Sequence, residues 1–232
     1  MLSWIQYYIL TELTRHATRR YSELRPRDVE SNLFMYHLNG LLKDHFIEKV
    51  DRHYQLATKG LQFVGTLSLT TGRTRVQPKI LNAIICQNED GEYLWSTWHR
   101  QPNTGLVSFP HGMMHFGERV MDMALNELAE KAGFEADLVY TGDAYVRGVQ
   151  NNTVDRHMLV HLFKGSKLRP AKRELLRPDI SESFWSKLED IPPERFVPGF
   201  YEIAQLVEKQ QEAFIFADIE VTIQENDKTK VR

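Results

Sequence analysis

One cysteine in 232 residues, Cys86, leaves no internal disulfide to form and no multi-cysteine metal centre to assemble. No run of 18 apolar residues occurs, so no segment reads as a membrane span. The opening stretch MLSWIQYYILTELTRHATRR has no basic segment ahead of its apolar positions, and polar residues interrupt them. It reads as an amphipathic helix and not as a secretion signal. Internal repeats and low-complexity tracts are missing as well. These absences set the expectation of a cytoplasmic globular protein, and a hydrophobic content of 42% supplies a sizeable core.

Net charge is small, −2, but unevenly spread. Residues 1–80 hold 12 Lys and Arg against 7 Asp and Glu, and the remaining 152 residues hold 17 against 24. A basic first part and an acidic second part suggest two modules with different partners. The segment 70–78, TTGRTRVQP, has few large apolar residues and ends in proline, so it is read as the linker.

In the first part, SWIQYYILTELTRHA places Trp4, Ile5, Tyr8, Ile9 and Leu13 near helical spacing. A short second helix is expected in YSELRPRD, broken by Pro26. A third is expected from Ser31 as N-cap through NLFMYHLNGLLKDHF, with Leu33, Leu38 and Leu41 as core. FIEKVDRHYQLATKG then reads as strand, tight turn at Asp51-Arg52-His53, strand, and a final turn into LQFVGTL. Three helices, a two-stranded wing and an L-x-T-x-G ending (Leu56 to Gly60) resemble the winged-helix family of DNA-binding domains over about residues 1–70. That resemblance implies that the helix from Ser31 enters the major groove of duplex DNA. Asn32, His37, Asn39 and the wing residue Arg52 would then face bases, with Arg25 and Arg27 on phosphates. It also implies a homodimer.

The second part mixes strands with one strongly helical segment, which argues α+β. KILNAIICQ and YLWSTWHR read as strands around an Asp90-Gly91 turn, and LVYTGDAYVRG and HMLVHLFKG as strands around VQNNTVDR. SESFWSKLEDI and PGFYEIAQLVEKQQEAF read as helices, and QENDKTKVR as a frayed end.

The chemistry gathers in FPHGMMHFGERVMDMALNELAEKAGF, Phe109 to Phe134. Glu127 and Glu130, three residues apart, project from one helical face. Glu118 stands at the helix entry, where a carboxylate is favoured. The glycines Gly112 and Gly117 let backbone come close to an ion. Gly112, Glu118, Glu127, Leu128, Glu130 and Gly133 stand in the register of the Nudix box, G-x5-E-x7-R-E-U-x-E-E-x-G-U, where U is a bulky aliphatic. The second part, residues 78–222, therefore resembles the Nudix hydrolase superfamily and its α/β/α sandwich. The resemblance implies Mg²⁺ held at Gly112, Glu118, Glu127 and Glu130, with Glu127 and Glu130 also catalytic, acting on a nucleoside diphosphate derivative. Arg100, His111, His115 and Arg147 are candidate ligand contacts, and Trp95, Trp98, Phe109 and Tyr145 candidate base-stacking rings.

Two departures qualify the match. Asn126 replaces the motif's arginine, and Lys131 replaces its second paired glutamate. A cation a few ångströms from an expected ion costs on the order of 1–4 kcal/mol at surface-like dielectric. Lys131 also stands at i,i+4 to Glu127 and could take that carboxylate out of the site. Asp143, Asp155 and Glu182 are the carboxylates available to compensate. The leading expectation is a transcriptional regulator sensing an ADP-ribose-like ligand. The alternatives are an active Mg²⁺-dependent hydrolase with the winged helix used for assembly, and an interaction scaffold.

Overall fold

The computed structural model describes residues 2–68, 71, 74–209 and 214–223. The chain divides into two compact units, Met1–Val76 and Gln77–Arg232. The expectation for residues 224–232, part of the linker and positions 210–213 lies outside the described residues. Among those described, no helix is long and apolar enough to cross a membrane.

The first unit is built on two amphipathic helices. Helix α1 (Trp4–Arg15) starts with a capping box: the Ser3 hydroxyl accepts the Gln6 N–H, and Gln6 Oε1 accepts the Ser3 N–H at 2.8 Å. Its Ile5, Ile9 and Leu13 meet Phe34, Leu38 and Leu41 of α3 (Ser31–Lys43) in one core. Strand β1 (Arg19–Arg20) and the single turn α2 (Tyr21–Leu24) lie between these helices in sequence. Strands β2 (Ile47–Val50) and β3 (His53–Leu56) form the expected hairpin, with Asp51 in the left-handed region at φ 54°. The sheet order is β1-β3-β2.

Four expectations are corrected here. The N-cap of α3 is Glu30, and Ser31 is its first helical residue. Leu33 is 47% exposed, because the buried stripe runs through Phe34, Leu38 and Leu41, one residue out of phase with it. The second helix ends at Leu24, ahead of Pro26, whose ring disfavours a helical Arg25. The final turn expected ahead of LQFVGTL is instead the first turn of a helix, α4 (Thr58–Gly65).

The second unit is a five-stranded sheet of order β11-β8-β9-β4-β7, with a smaller sheet of order β10-β5-β6. Strand β4 (Lys79–Cys86) is the run KILNAIIC. Leu81, Ala83 and Ile85 face one core and Ile84 and Cys86 the other, which is why it reads as continuously apolar. Strands β5 (Tyr93–Trp98), β6 (Val107–Ser108) and β7 (His111–Met113) lead to helix α5 (Val120–Ala132), which covers the Ile84 face. Gly133, at φ 73°, ends α5 in a left-handed cap. Strands β8 (Phe134–Gln150) and β9 (Thr153–Pro170) form a long antiparallel ribbon turning at Asn151 and Asn152, both at positive φ. Helix α6 (Phe200–Lys209) packs Phe200 and Ile203 on the Leu81 face, completing an α/β/α layering.

Two further corrections concern the end of the chain. Residues 181–191 do not form the expected helix: β10 (Ser181–Ser186) pairs antiparallel with β5, and a single 3-10 turn follows at Leu188–Asp190. Ile215–Thr222, to which no element was assigned from sequence, is β11, parallel to β8 at the sheet edge.

Candidate functional site

The site forms where the sheet edge β7 meets α5. Gly112 pairs with Asn82 of β4 and donates its N–H to the Asn82 side-chain oxygen at 3.1 Å. A Cβ on Gly112 would lie 2.0 Å from Glu127 Cδ, so the glycine is what admits this carboxylate against the strand. Burial pushes the Glu127 carboxyl above its ordinary range, with Lys131 pulling the other way. Its Oε2 is buried and accepts no hydrogen bond. The nearest cation is Lys131 Nζ at 3.5 Å, one helical turn on. Lys131 is only 8% exposed, and its ammonium also lies over the Trp98 ring, 5.6 Å from the centroid. The hydroxyls of Ser181 and Ser183 on β10 donate to the Lys131 carbonyl at 3.4 and 3.0 Å, tying this end of α5 to the small sheet.

Gly112, Glu127, Lys131 and Trp98 line a cleft of about 620 Å³. His111 forms part of its wall, ring-stacked on Phe200 at 4.6 Å and 4.4 Å from Trp98. Ser108 Oγ sits 2.9 Å from His111 Nδ1 and accepts the Trp98 indole N–H at 2.7 Å. Burial pushes the His111 imidazole down to about 4, so it is neutral at physiological pH. Arg100 and His115 also reach the cleft, with Arg100 in an ion pair with Asp179.

Other expected site residues stand apart. Glu118 is exposed, and its Oε2 accepts the His115 N–H at 2.8 Å. Glu130 does not line the cleft. Arg147 lies on β8 outside the cleft, paired with Glu220 at 3.2 Å and Asp218 at 3.9 Å of β11. Trp95 and Phe109 stack on one another in the core at 4.4 Å and Tyr145 lies outside the cleft, so of the four candidate stacking rings Trp98 is the one that lines it. Of the carboxylates expected to compensate for Lys131, Asp143 holds His161 at 2.6 Å and Glu182 lies outside the cleft, whereas Asp155 lines it. Lys79 and Arg156 were not foreseen. Lys79 had a signal, since it alternates with Leu81, which faces the same side of the sheet; Arg156 had none.

A divalent cation does not fit the residues as they stand. Among the described residues, no three of His, Cys, Asp and Glu converge as metal ligands. The Glu127 carboxylate faces an ammonium where an ion would need it.

In the first unit, Asn32 and Asn39 are exposed on α3, Arg52 at the hairpin turn and Arg27 ahead of α3. His37 and Arg25 are engaged internally. His37 Nδ1 lies 3.1 Å from the Ser3 hydroxyl, and Arg25 donates to the Val29 carbonyl at 2.8 Å.

Residues 5–67 match a domain family described as a domain of unknown function (DUF7347), and residues 79–207 match the NUDIX domain. No curated protein matches the chain. Among solved structures, it is similar to a mutator MutT protein from Bacillus halodurans at 15% identity, covering 62% of this chain and 90% of that one with a TM-score of 0.48. A MutT NUDIX hydrolase from Burkholderia pseudomallei is similar at 20% identity, over 57% and 99% of the chains, with a TM-score of 0.47. An ADP-ribose pyrophosphatase from Streptococcus suis is similar at 18% identity, over 62% and 99%, with a TM-score of 0.38. The NUDIX match takes in more than half of the residues, and the chain belongs to the NUDIX family.

Proposed function

We propose that this protein is a DNA-binding regulator whose NUDIX domain binds a nucleoside diphosphate derivative of the ADP-ribose type as a signal and does not hydrolyse it. The observation that carries the reading is the Glu127–Lys131 pair inside the cleft. Hydrolysis of a diphosphate draws on a Lewis acid and an activated water. Here the carboxylate that would serve them faces an ammonium. The cleft keeps what binding needs: volume for a small molecule, an aromatic face in Trp98 and cationic side chains.

The first unit supports the DNA half. Its helices and hairpin follow the winged-helix order, with α3 as the groove-entering helix and Arg52 at the tip of the wing. Asn32 and Asn39 are the exposed amides on α3 able to pair with adenine edges. His37 and Arg25 are withdrawn from the contact set, because each holds the unit itself together. A homodimer would place two such helices on neighbouring half-sites.

The test has two arms. Full-length protein should bind a pool of duplex DNA at low salt, and ADP-ribose should change that affinity, read by fluorescence anisotropy. Phosphate release from ADP-ribose in Mg²⁺ should stay far below ordinary enzymatic turnover of roughly 1–10³ per second. Absence of DNA binding ends the regulator reading, and turnover in that range hands the assignment to hydrolysis.

A further inference from the structure

We propose that the Lys131 ammonium is the resident cation of the cleft. It would take the place of a soluble divalent ion beside a diphosphate diester, so that ligand binds without metal. The inference rests on the reading above that this cleft takes a diphosphate, and assigns Lys131 a binding role in it.

Position is the first argument. Lys131 is nearly buried, yet its side chain lines the cleft, held between Glu127 Oε2 at 3.5 Å and the face of Trp98 at 5.6 Å. Its backbone is anchored by Ser181 and Ser183. An ammonium fixed in this way needs little reorganisation to meet an anion, and lysine is a compact point charge with three donors suited to phosphate oxygens.

Glu127 is the second. Gly112 lets its carboxylate sit against β7, and Oε2 has no hydrogen bond to satisfy it there. A buried carboxylate oxygen in that condition requires a nearby cation, and α5 itself supplies one. Lys131 faces the Glu127 Oε2 that a metal ion would use, and among the described residues no three His, Cys, Asp or Glu side chains converge to hold one.

Charge is the third. Among its lining residues the cleft sets Lys79, Arg100, Lys131 and Arg156 against Glu127 and Asp155, a formal surplus of two positive charges, of which Arg100 is shared with Asp179. A diphosphate diester carries about two negative charges at neutral pH, so the surplus matches it without an added ion. A monophosphate ester of the same nucleoside offers those cations fewer oxygens and spans less of the cleft. An ammonium neutralises and donates hydrogen bonds but coordinates no water, so the same replacement that removes the metal permits binding without hydrolysis.

The experiment is isothermal titration of the full chain with ADP-ribose, and with AMP as the monophosphate comparison, each in EDTA and in Mg²⁺. Native affinity for ADP-ribose should agree within about twofold between the two buffers and exceed that for AMP. Lys131→Gln should weaken ADP-ribose binding about tenfold in both, whereas Lys131→Arg, which keeps the charge, should recover most of it. Lys131→Glu should bind poorly in EDTA and regain about tenfold on adding Mg²⁺, converting a metal-independent site into a metal-dependent one. Far-UV circular dichroism checks that each variant folds; where Lys131→Gln does not, the native metal dependence and Lys131→Arg decide. Native binding that disappears in EDTA, or a folded Lys131→Gln with unchanged affinity, overturns the inference and leaves the ligand reading standing. No binding of ADP-ribose in either buffer overturns both.

Discussion

His111 shows how one side chain ties stability to acidity. Its ring is enclosed by Trp98 and Phe200, and burial holds its proton affinity down to about 4 against an ordinary value of 6.5. The folded state therefore excludes a proton that the unfolded chain accepts. The stability this contributes is complete above pH 6.5 and is lost as pH falls toward 4, amounting to about 3 kcal/mol over that window. Urea unfolding at pH 7 and pH 4.5 should show the loss, and His111→Asn should flatten that part of the pH profile while lowering stability at pH 7. A profile in the variant as steep as in the native protein would place the effect elsewhere. Gly112, the next residue, acts through space instead of charge, since any side chain there would evict the Glu127 carboxylate.

Among the elements, α4 gives a physical reason for the L-x-T-x-G ending noted in the sequence. The Phe46 carbonyl accepts the Ala57 N–H at 3.0 Å, and a Cβ on Gly60 would stand 2.0 Å from that same oxygen. Gly60→Ala must therefore shift backbone, and it should destabilise the first unit by about 1–3 kcal/mol. Thermal unfolding should show the transition of the first unit lowered and that of the second unchanged; an unaltered first transition would show that α4 has room to move. The motif was legible in sequence, but the helix it begins was not, because Thr58–Gly65 is short and holds two glycines. Helix α5 was legible throughout, since its core positions Ala124 and Leu128 keep helical spacing and Gly133 marks its end. SESFWS misled because its strand character comes from pairing with β5, and tertiary pairing overrides local propensity. Strand β11 had a signal in the alternation of Ile215, Ile219 and Val221 inward, but no nearby strand to pair with in sequence. In the site, the glycine and glutamate spacing pointed to Glu127 and Lys131. It could not show that Glu118 stays out of the cleft, because that depends on how the loop before α5 folds back, nor that Glu130, on α5 itself, does not line it.

For the whole molecule, the basic character of the first part should appear as salt-sensitive DNA binding. Each phosphate neutralised adds about 0.9 to the slope of log affinity against log salt. Replacing the exposed Arg27 and Arg52 by Ala should lower that slope by about two and weaken binding to every sequence, measured by anisotropy across a NaCl series. Arg25→Ala, by contrast, should act through stability, because its guanidinium holds the Val29 carbonyl. A slope unchanged in the Arg27/Arg52 variant would remove the hairpin and the entry to α3 from the DNA contact. The strand order has a separate consequence for how the chain is made. Strand β4 opens the second unit, yet its parallel neighbour is β9, with Lys79 opposite Met158. At roughly 5–20 residues per second, translation leaves a delay of roughly 4–16 s between the two strands. Throughout that interval the first unit is fully synthesised and free to fold, while KILNAIIC stands finished without its parallel partner, and only the three-residue β7 arrives sooner to pair with it. The nascent chain is then most exposed to aggregation, and a ribosome-associated chaperone would have the most to do.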